Sequence, residues 1–329
     1  NVVSTPHTVE LMPAEGSGCR NYQGPAWYRK HFVLPAETKG KRVVLHFEAA
    51  MGKQILYLNG KRIQEHLGGY LPFTLDLTAN GVQAGDSCLL AVFTDNSDDK
   101  SYPPGKRQYT LDFAYHGGIY RDVWMIAKSP VAITDAIDSQ IVGGGGVFVH
   151  FDKISEKSAQ VYVNTEVQND DARSESVTVE TTLTDADGKV IKRSSGKLSL
   201  KPGEKKSIRQ QMEVKNPTLW SPDTPYLYRV QSRIKKGNKS IDGGITRVGI
   251  RLAEFRGKDG FWLNGKPFGQ LVGANRHQDF AYVGNALPNS QQWRDAKRLR
   301  DVGCTIIRVA HYPQDPAFMD ACDELGLFV

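Results

Sequence analysis

The segment that begins at Phe261 leaves this chain few folds to choose from. It holds Phe261-Trp262-Leu263-Asn264-Gly265-Lys266-Pro267, Gly273-Ala274-Asn275-Arg276-His277-Gln278-Asp279, Ile307-Arg308-Val309-Ala310-His311-Tyr312-Pro313 and Cys322-Asp323-Glu324-Leu325-Gly326-Leu327-Phe328-Val329. Short apolar runs end in polar residues, as where a strand hands over to a loop, and that is where α/β barrels place their chemistry. Asn289 or Ser290 can cap a helix through Val302, with Trp293, Ala296 and Leu299 at helical spacing and Gly303 to end it. Thr305 to Val309 reads as a strand. Asp315-Pro316 starts a second helix, because proline fits its first position and aspartate accepts from its unpaired amides. Phe318, Met319, Cys322 and Leu325 predict its apolar face, Gly326 stops it, and Leu327-Phe328-Val329 opens another strand. The order is βαβαβ, which implies parallel strands and crossover helices.

A closed eight-fold barrel takes about 250 residues, and the residues after Arg251 supply less than a third of that. Two or three strands with an open edge cannot close on themselves. The expectation is therefore the N-terminal part of a longer protein.

Before this segment the chain reads as β-structure. Tyr28 to Leu34, Arg42 to Glu48, Gln54 to Leu58, Leu89 to Thr94 and Val123 to Ile126 are short and alternating or β-branched, with turn signals such as Gly85-Asp86 between them. Asn59-Gly60, with Ile55 and Tyr57 before it and Ile63 after, predicts a hairpin. Strands so spaced, without helices, argue for a two-sheet sandwich. Ser97 to Lys106, with Asp98-Asp99 and Pro103-Pro104, reads as a long surface loop. The two acids read as solvated charge, with cation binding as the alternative. Gly117-Gly118, beside Tyr115 and Tyr120, suggests a backbone that something approaches closely.

A second β unit runs from about Val131 to Arg251. Gly143 to Gly146 allows a flexible or sharply turned stretch, Asp185-Ala186-Asp187-Gly188 marks a hairpin, and Lys201-Pro202-Gly203-Glu204 is another turn. Tyr226 to Ile234 alternates well, and the length suits an immunoglobulin-like sandwich with Trp220 as its buried tryptophan.

Composition narrows the function classes. The chain has 329 residues, 40% hydrophobic and 24% charged, enough for two or three domains. No apolar run is long enough to cross a bilayer. A net charge of +6, spread along the sequence, argues against nucleic-acid binding. Cys19, Cys88, Cys304 and Cys322 lack the clustered spacing of a disulfide framework or zinc site. Asn1 is not an initiator methionine and no targeting signal is visible. The compartment stays open: secreted or periplasmic if Asn1 follows a removed signal peptide, cytoplasmic otherwise.

Trp27-Tyr28-Arg29-Lys30, Tyr57-Leu58-Asn59-Gly60, Gly68-Gly69-Tyr70-Leu71-Pro72-Phe73 and Gly117-Gly118-Ile119-Tyr120-Arg121-Asp122-Val123-Trp124 resemble the sugar-binding jelly roll of glycoside hydrolase family 2. Leu219-Trp220-Ser221-Pro222, Pro225-Tyr226-Leu227-Tyr228 and Gly249-Ile250-Arg251 look like that family's immunoglobulin-like domain. Asn275-Arg276-His277 and His311-Tyr312-Pro313 look like the opening of its barrel, in the version found in β-galactosidases. The resemblance implies a multidomain, mainly β chain: a jelly-roll sandwich over 1–128, an immunoglobulin-like sandwich over 129–251 and the incomplete start of a (β/α)8 TIM barrel over 252–329. Gly269-Gln270-Leu271 departs from an apolar-Arg-Gly pattern common in the family, and Ala310 stands where serine is common.

The resemblance implies retaining hydrolysis of a β-galactoside, in which one carboxylic acid protonates the leaving oxygen and a second, about 5–5.5 Å away, attacks the anomeric carbon. In the family both are glutamates on later barrel strands, so neither is expected here and the 329 residues alone are expected to lack turnover. Asp323 and Glu324 belong to a structural helix end in the family pattern. By resemblance His277 and His311 bind sugar hydroxyls. Arg308 keeps the nucleophile ionised, as a neighbouring guanidinium does. Asp112 reaches the barrel mouth from the first domain, Asn21 adds a polar contact, and Asn275 and Asp279 organise the first barrel loop. The implied partner is a β-galactoside-containing saccharide. No cofactor or metal site is assignable, a cation in the whole enzyme and homo-oligomerisation stay open, and the alternatives are a β-glucuronidase or β-mannosidase of the same family or a non-catalytic carbohydrate-binding protein.

Overall fold

The computed structural model describes residues 1–10 and 21–329, so Cys19 lies outside the described residues. Contacts divide the chain into two compact units: residues 1–127 with 275–295 and 308–319, and residues 128–274 with 296–307 and 320–329.

In the first unit, seven strands form a two-sheet sandwich: β1 (Pro25–Val33), β2 (Arg42–Phe47), β3 (Lys53–Leu58), β4 (Lys61–Leu67), β5 (Phe73–Asp76), β6 (Ser87–Asp95) and β7 (Val123–Lys128). One sheet runs β1-β6-β3-β4 and the other β5-β2-β7. Alternation does the sorting. Along β2 and β3 every second residue is buried, and Leu45, Phe47, Leu56, Leu58, Phe73, Leu75, Cys88 and Val92 meet in one core. The Asn59-Gly60 hairpin forms as expected: Leu58 pairs with Lys61, and φ of 51° at Asn59 and 81° at Gly60 gives the mirror-image turn that asparagine and glycine tolerate. Strand β5 is an addition to the strands expected from the sequence; four residues are too few for a periodic signal. What approaches Gly117-Gly118 is the fold itself. Residues 7 and 9 hydrogen-bond across to Ile119 and Gly117, and a Cβ on Gly118 would lie 2.5 Å from the His7 carbonyl oxygen.

The second unit contains β8 (Val131–Ile133), the one-turn helix α1 (Ala136–Ser139), β9 (Val147–Asp152), β10 (Ser158–Asn169), β11 (Glu175–Thr184), β12 (Val190–Leu200), β13 (Lys205–Lys215), β14 (Tyr228–Lys236) and β15 (Lys239–Val248). Sheet β12-β11-β14-β15 and the sheet of β13, β10, β8 and β9 form the second sandwich. Asp185 organises the β11–β12 turn, its Oδ1 accepting from the Asp187 and Lys189 amides. Trp220 is buried, as expected, but against late residues of the chain. Its indole donates to the Asp323 carbonyl at 2.9 Å and meets Phe328 edge-on at 5.4 Å. A Cβ on Gly249 would stand 2.8 Å from the indole.

The small antiparallel strands β16 (Ala253–Phe255), β17 (Phe261–Leu263) and β18 (Lys266–Pro267) precede the β/α alternation: β19 (Gly273–Arg276), α2 (Asn289–Asp301), β20 (Ile306–Val309) and α3 (Pro316–Leu325). Bonds from Thr305 to Val272 and from Ala310 to Arg276 advance in the same direction, so β19 and β20 are parallel. Ile306 and Phe328 form a further parallel bridge. Asp315 caps α3, accepting from the Ala317 amide at 2.9 Å. The buried stripes differ in detail from the expectation. On α2 Gln292 and Ala296 are buried and Trp293 is exposed; on α3 Phe318, Ala321 and Cys322 are buried and Met319 is exposed.

Candidate functional site

The end of β19 is held by a buried guanidinium. Side chains alternate across an extended strand, and Arg276 takes the inward position, 6% exposed. It donates to Gln314, to Gln292 Oε1 at 2.7 Å and to Asp295 Oδ2 at 2.9 Å, and it lies 4.0 Å from the centroid of Phe318. Its own carbonyl receives the Ala310 amide at 3.1 Å. This explains the burial of Gln292. A buried charge needs acceptors, and the polar side of α2 turns inward to supply them.

With Arg276 fixed, the next residue, His277, is directed to a cluster of aromatic and polar side chains. His277 and His311 stand edge to face, their rings 5.6 Å apart. Phe113 lies 5.7 Å from each and 5.4 Å from Tyr312, whose ring is stacked on Tyr70 at 4.4 Å. His311 Nε2 and Asp112 Oδ2 are 3.7 Å apart, longer than a hydrogen bond. Asp112 is open to solvent, its side chain 76% exposed. His277 Nδ1 is buried without a hydrogen-bond partner among the described residues. An apolar floor with two imidazoles and a carboxylate at its rim can grip a polyhydroxylated ring: apolar contact takes the ring face, and the rim atoms take hydroxyls.

The other sequence candidates make no hydrogen bond to the cluster's histidines or Asp112 among the described residues. Asn275, Asp279 and Arg308 are exposed. Asn21 donates from Nδ2 to Gln108 Oε1 at 3.0 Å.

Asp98 is exposed, as expected of solvated charge, and is also a junction. Its Oδ1 accepts from Gln23 Nε2 at 2.8 Å, the Gln108 amide at 2.9 Å and Tyr115 Oη at 2.5 Å. Partial burial pushes this carboxyl up, but the bonds from Tyr115, Gln23 and Gln108, with the Arg107 guanidinium, outweigh it and hold the group below the usual carboxylate range. Asp99 accepts from Ser101, and among the described residues no group of three or more His, Cys, Asp or Glu could hold a metal ion.

Beneath the cluster lies a second buried cation that sequence reasoning did not single out. Arg121 is 3% exposed and donates to Gln278 Oε1 at 3.0 Å and the Pro313 carbonyl at 2.7 Å. It also donates to the Tyr70 carbonyl at 3.3 Å. It thereby ties together the segments that follow β19 and β20. Its Nε lies 3.9 Å from Asp315 Oδ2, too far for a hydrogen bond. Burial dominates Asp315 and raises its pKa, against the opposing Ala317 amide and Arg121 charge. A carboxyl that protonates more readily when folded contributes most below the ordinary carboxylate pKa, and that contribution is lost as pH rises through the raised folded value. Asp315→Asn keeps an oxygen for the Ala317 amide. Urea unfolding should therefore show the native protein's advantage over the variant shrinking as pH rises from the acid side toward neutrality. An advantage that grows with pH would show that the Arg121 charge dominates instead.

Two β-sandwiches followed by parallel β/α units, with ligand-competent side chains collected just beyond the ends of the parallel strands, define a multidomain carbohydrate-active architecture. Residues 6–130 match the sugar binding domain of glycosyl hydrolases family 2, residues 145–251 match glycosyl hydrolases family 2 and residues 255–329 its TIM barrel domain; the chain belongs to this family. A beta-galactosidase of Thermoanaerobacter pseudethanolicus is 35% identical over 329 residues, all of this chain and 42% of the relative. A beta-glucuronidase of Formosa agariphila is 32% identical over 98% of this chain and 34% of its own length. The crystal structure of a Bacteroides uniformis beta-glucuronidase superposes with a TM-score of 0.88 at 32% identity, covering 99% of this chain and 38% of that one. The chain thus spans less than half the length of each of these relatives.

Proposed function

We propose that this chain is the sugar-gripping, N-terminal part of a retaining β-galactosidase, divided at about residues 128 and 251. The observation that carries this is the meeting of Asp112 and Phe113, from a sandwich loop, with His277 and His311, which follow parallel strands. The floor of Phe113 takes the apolar face of a galactosyl ring. His277, His311 and Asp112 take its hydroxyls, with Asn21 as an outer contact and Asn275 and Asp279 shaping the loop after β19. Arg308 faces the position of the nucleophilic carboxylate and holds it ionised by its positive charge. Displacement at the anomeric carbon and proton donation to the leaving oxygen belong to two carboxylates on later barrel strands. These 329 residues alone are expected to hydrolyse no aryl β-galactoside.

The test is steady-state kinetics of the full-length protein on aryl β-galactoside, β-glucuronide and β-mannoside. Hydrolysis of the galactoside is expected, with Asp112→Ala raising KM about tenfold or more, the size of a lost hydrogen bond to a charged group. Preference for the glucuronide would instead favour the second reading, a β-glucuronidase, which the Formosa agariphila and Bacteroides uniformis relatives recommend. Sugar binding without turnover would establish a carbohydrate-binding protein.

A further inference from the structure

Asp112 and Phe113 lie on an irregular stretch between Lys106 and Tyr115, with a short 3-10 turn at Gln108–Thr110. Such a segment has little ladder bonding to hold it, yet its use in the site depends on where Asp112 stands. It is fastened at both ends to the same atom. Asp98 Oδ1 accepts the Gln108 amide on the near side of Asp112 and Tyr115 Oη on the far side. Gln108 passes the constraint on, since its Oε1 receives Asn21. Gln23, two residues after Asn21, donates to Asp98 and to Tyr115 Oη at 3.1 Å. The far end is clamped again: Asn96 Nδ2 donates to the Tyr22 and Tyr115 carbonyls, its Oδ1 accepts the Gly24 amide at 3.1 Å, and its side chain fills the space where a Cβ on Gly117 would stand. Tyr115 and Gln108 are each 3% exposed, whereas Asp98 is at the surface. The loop therefore has buried anchors drawn to one exposed carboxylate.

We infer that Asp98 is a positioning residue for the sugar-contacting loop, setting Asp112 and Asn21 together through Gln108 and Tyr115. This rests on the reading of Asp112 as a sugar contact. A carboxylate suits the post because one oxygen must accept three donors, and charge strengthens each bond. Asp98 touches no sugar in this scheme and acts only through the loop. Its loss should weaken substrate capture while leaving the later displacement chemistry in place.

The experiment uses the full-length protein as wild type, Asp98→Ala, Asp98→Asn and Tyr115→Phe. Steady-state kinetics on an aryl β-galactoside is joined to amide hydrogen exchange over residues 106–116. Asp98→Ala is expected to raise KM about five- to tenfold with kcat within about twofold and to speed exchange in that segment. Asp98→Asn, which retains the accepting oxygen, should restore most of both. Tyr115→Phe should shift KM in the same direction as Asp98→Ala. Wild-type KM and unchanged exchange in Asp98→Ala would overturn the inference, as would a fall in kcat at constant KM. If the wild type hydrolyses no β-glycoside, the functional reading fails by itself. The exchange measurement then still decides whether Asp98 fixes the loop.

Discussion

Gly273→Ala is expected to cost about 3 kcal/mol or more of stability, at or above the upper end for overpacking a well-filled site. A Cβ at residue 273 would sit 1.7 Å from the Ile306 carbonyl oxygen and 2.7 Å from its carbon. Both are backbone, so no rotamer change relieves the clash, and the parallel strands β19 and β20 must part. Gly244 on β15 is the control, because a Cβ there meets nothing within 4 Å. Alanine at that position should be neutral or slightly stabilising, since it restricts the unfolded chain. Urea midpoints of the two variants decide the matter. Equal midpoints would show that the strands adjust freely and that their separation is not fixed by glycine.

Arg276→Met should cost about 3–5 kcal/mol, the range for breaking a buried ion pair from one side. Methionine keeps much of the volume over Phe318 but leaves Gln292 and Gln314 without the guanidinium and Asp295 with only the Gln291 side-chain amide as donor. Asp295 retains only 19% side-chain exposure, so water recovers part of its solvation and little of the glutamines'. A double-mutant cycle with Asp295→Asn isolates the pair, with a coupling of about 1 kcal/mol or more expected. A local effect should accompany the global one: because Arg276 precedes His277 directly, the full-length variant should also raise KM for the proposed galactoside substrate. Strong destabilisation with unchanged KM would show that His277 is placed by other contacts.

These two effects also mark how far the sequence could be read. Local chemistry was legible. Asn59-Gly60 announces its hairpin because two consecutive positive φ values suit few other pairs, and Asp315-Pro316 announces a helix start through its own capping bond. The grouping of His277, His311 and Asp112 could be anticipated only through family resemblance, since the contacts join residues far apart in the chain. The burial of Arg121, Arg276, Gln278 and Gln314 was not legible, because a buried polar residue looks in a sequence like a surface one. One signal was available: polar residues crowd directly after the apolar runs, in Arg276-His277-Gln278 and Gln314-Asp315, where exposed loops more often carry glycine or serine. Trp293 misled for the opposite reason. It is the bulkiest side chain of its helix, yet the buried stripe was claimed by Gln292 once Arg276 needed an acceptor.

The aromatic cluster that includes Tyr70, Phe113, Tyr115 and Tyr120 is completed by Tyr312, and this has a meaning for the order of synthesis. At about 5–20 residues per second, Tyr312 leaves the ribosome roughly ten to forty seconds after Phe113. The first sandwich has time to fold long before its last aromatic partner exists. During that interval Tyr70 lacks the ring that will stack on it, and Phe113 lacks three of its neighbours. A nascent chain at this stage exposes an apolar face that Tyr312 later covers, and that face becomes the floor of the proposed sugar site.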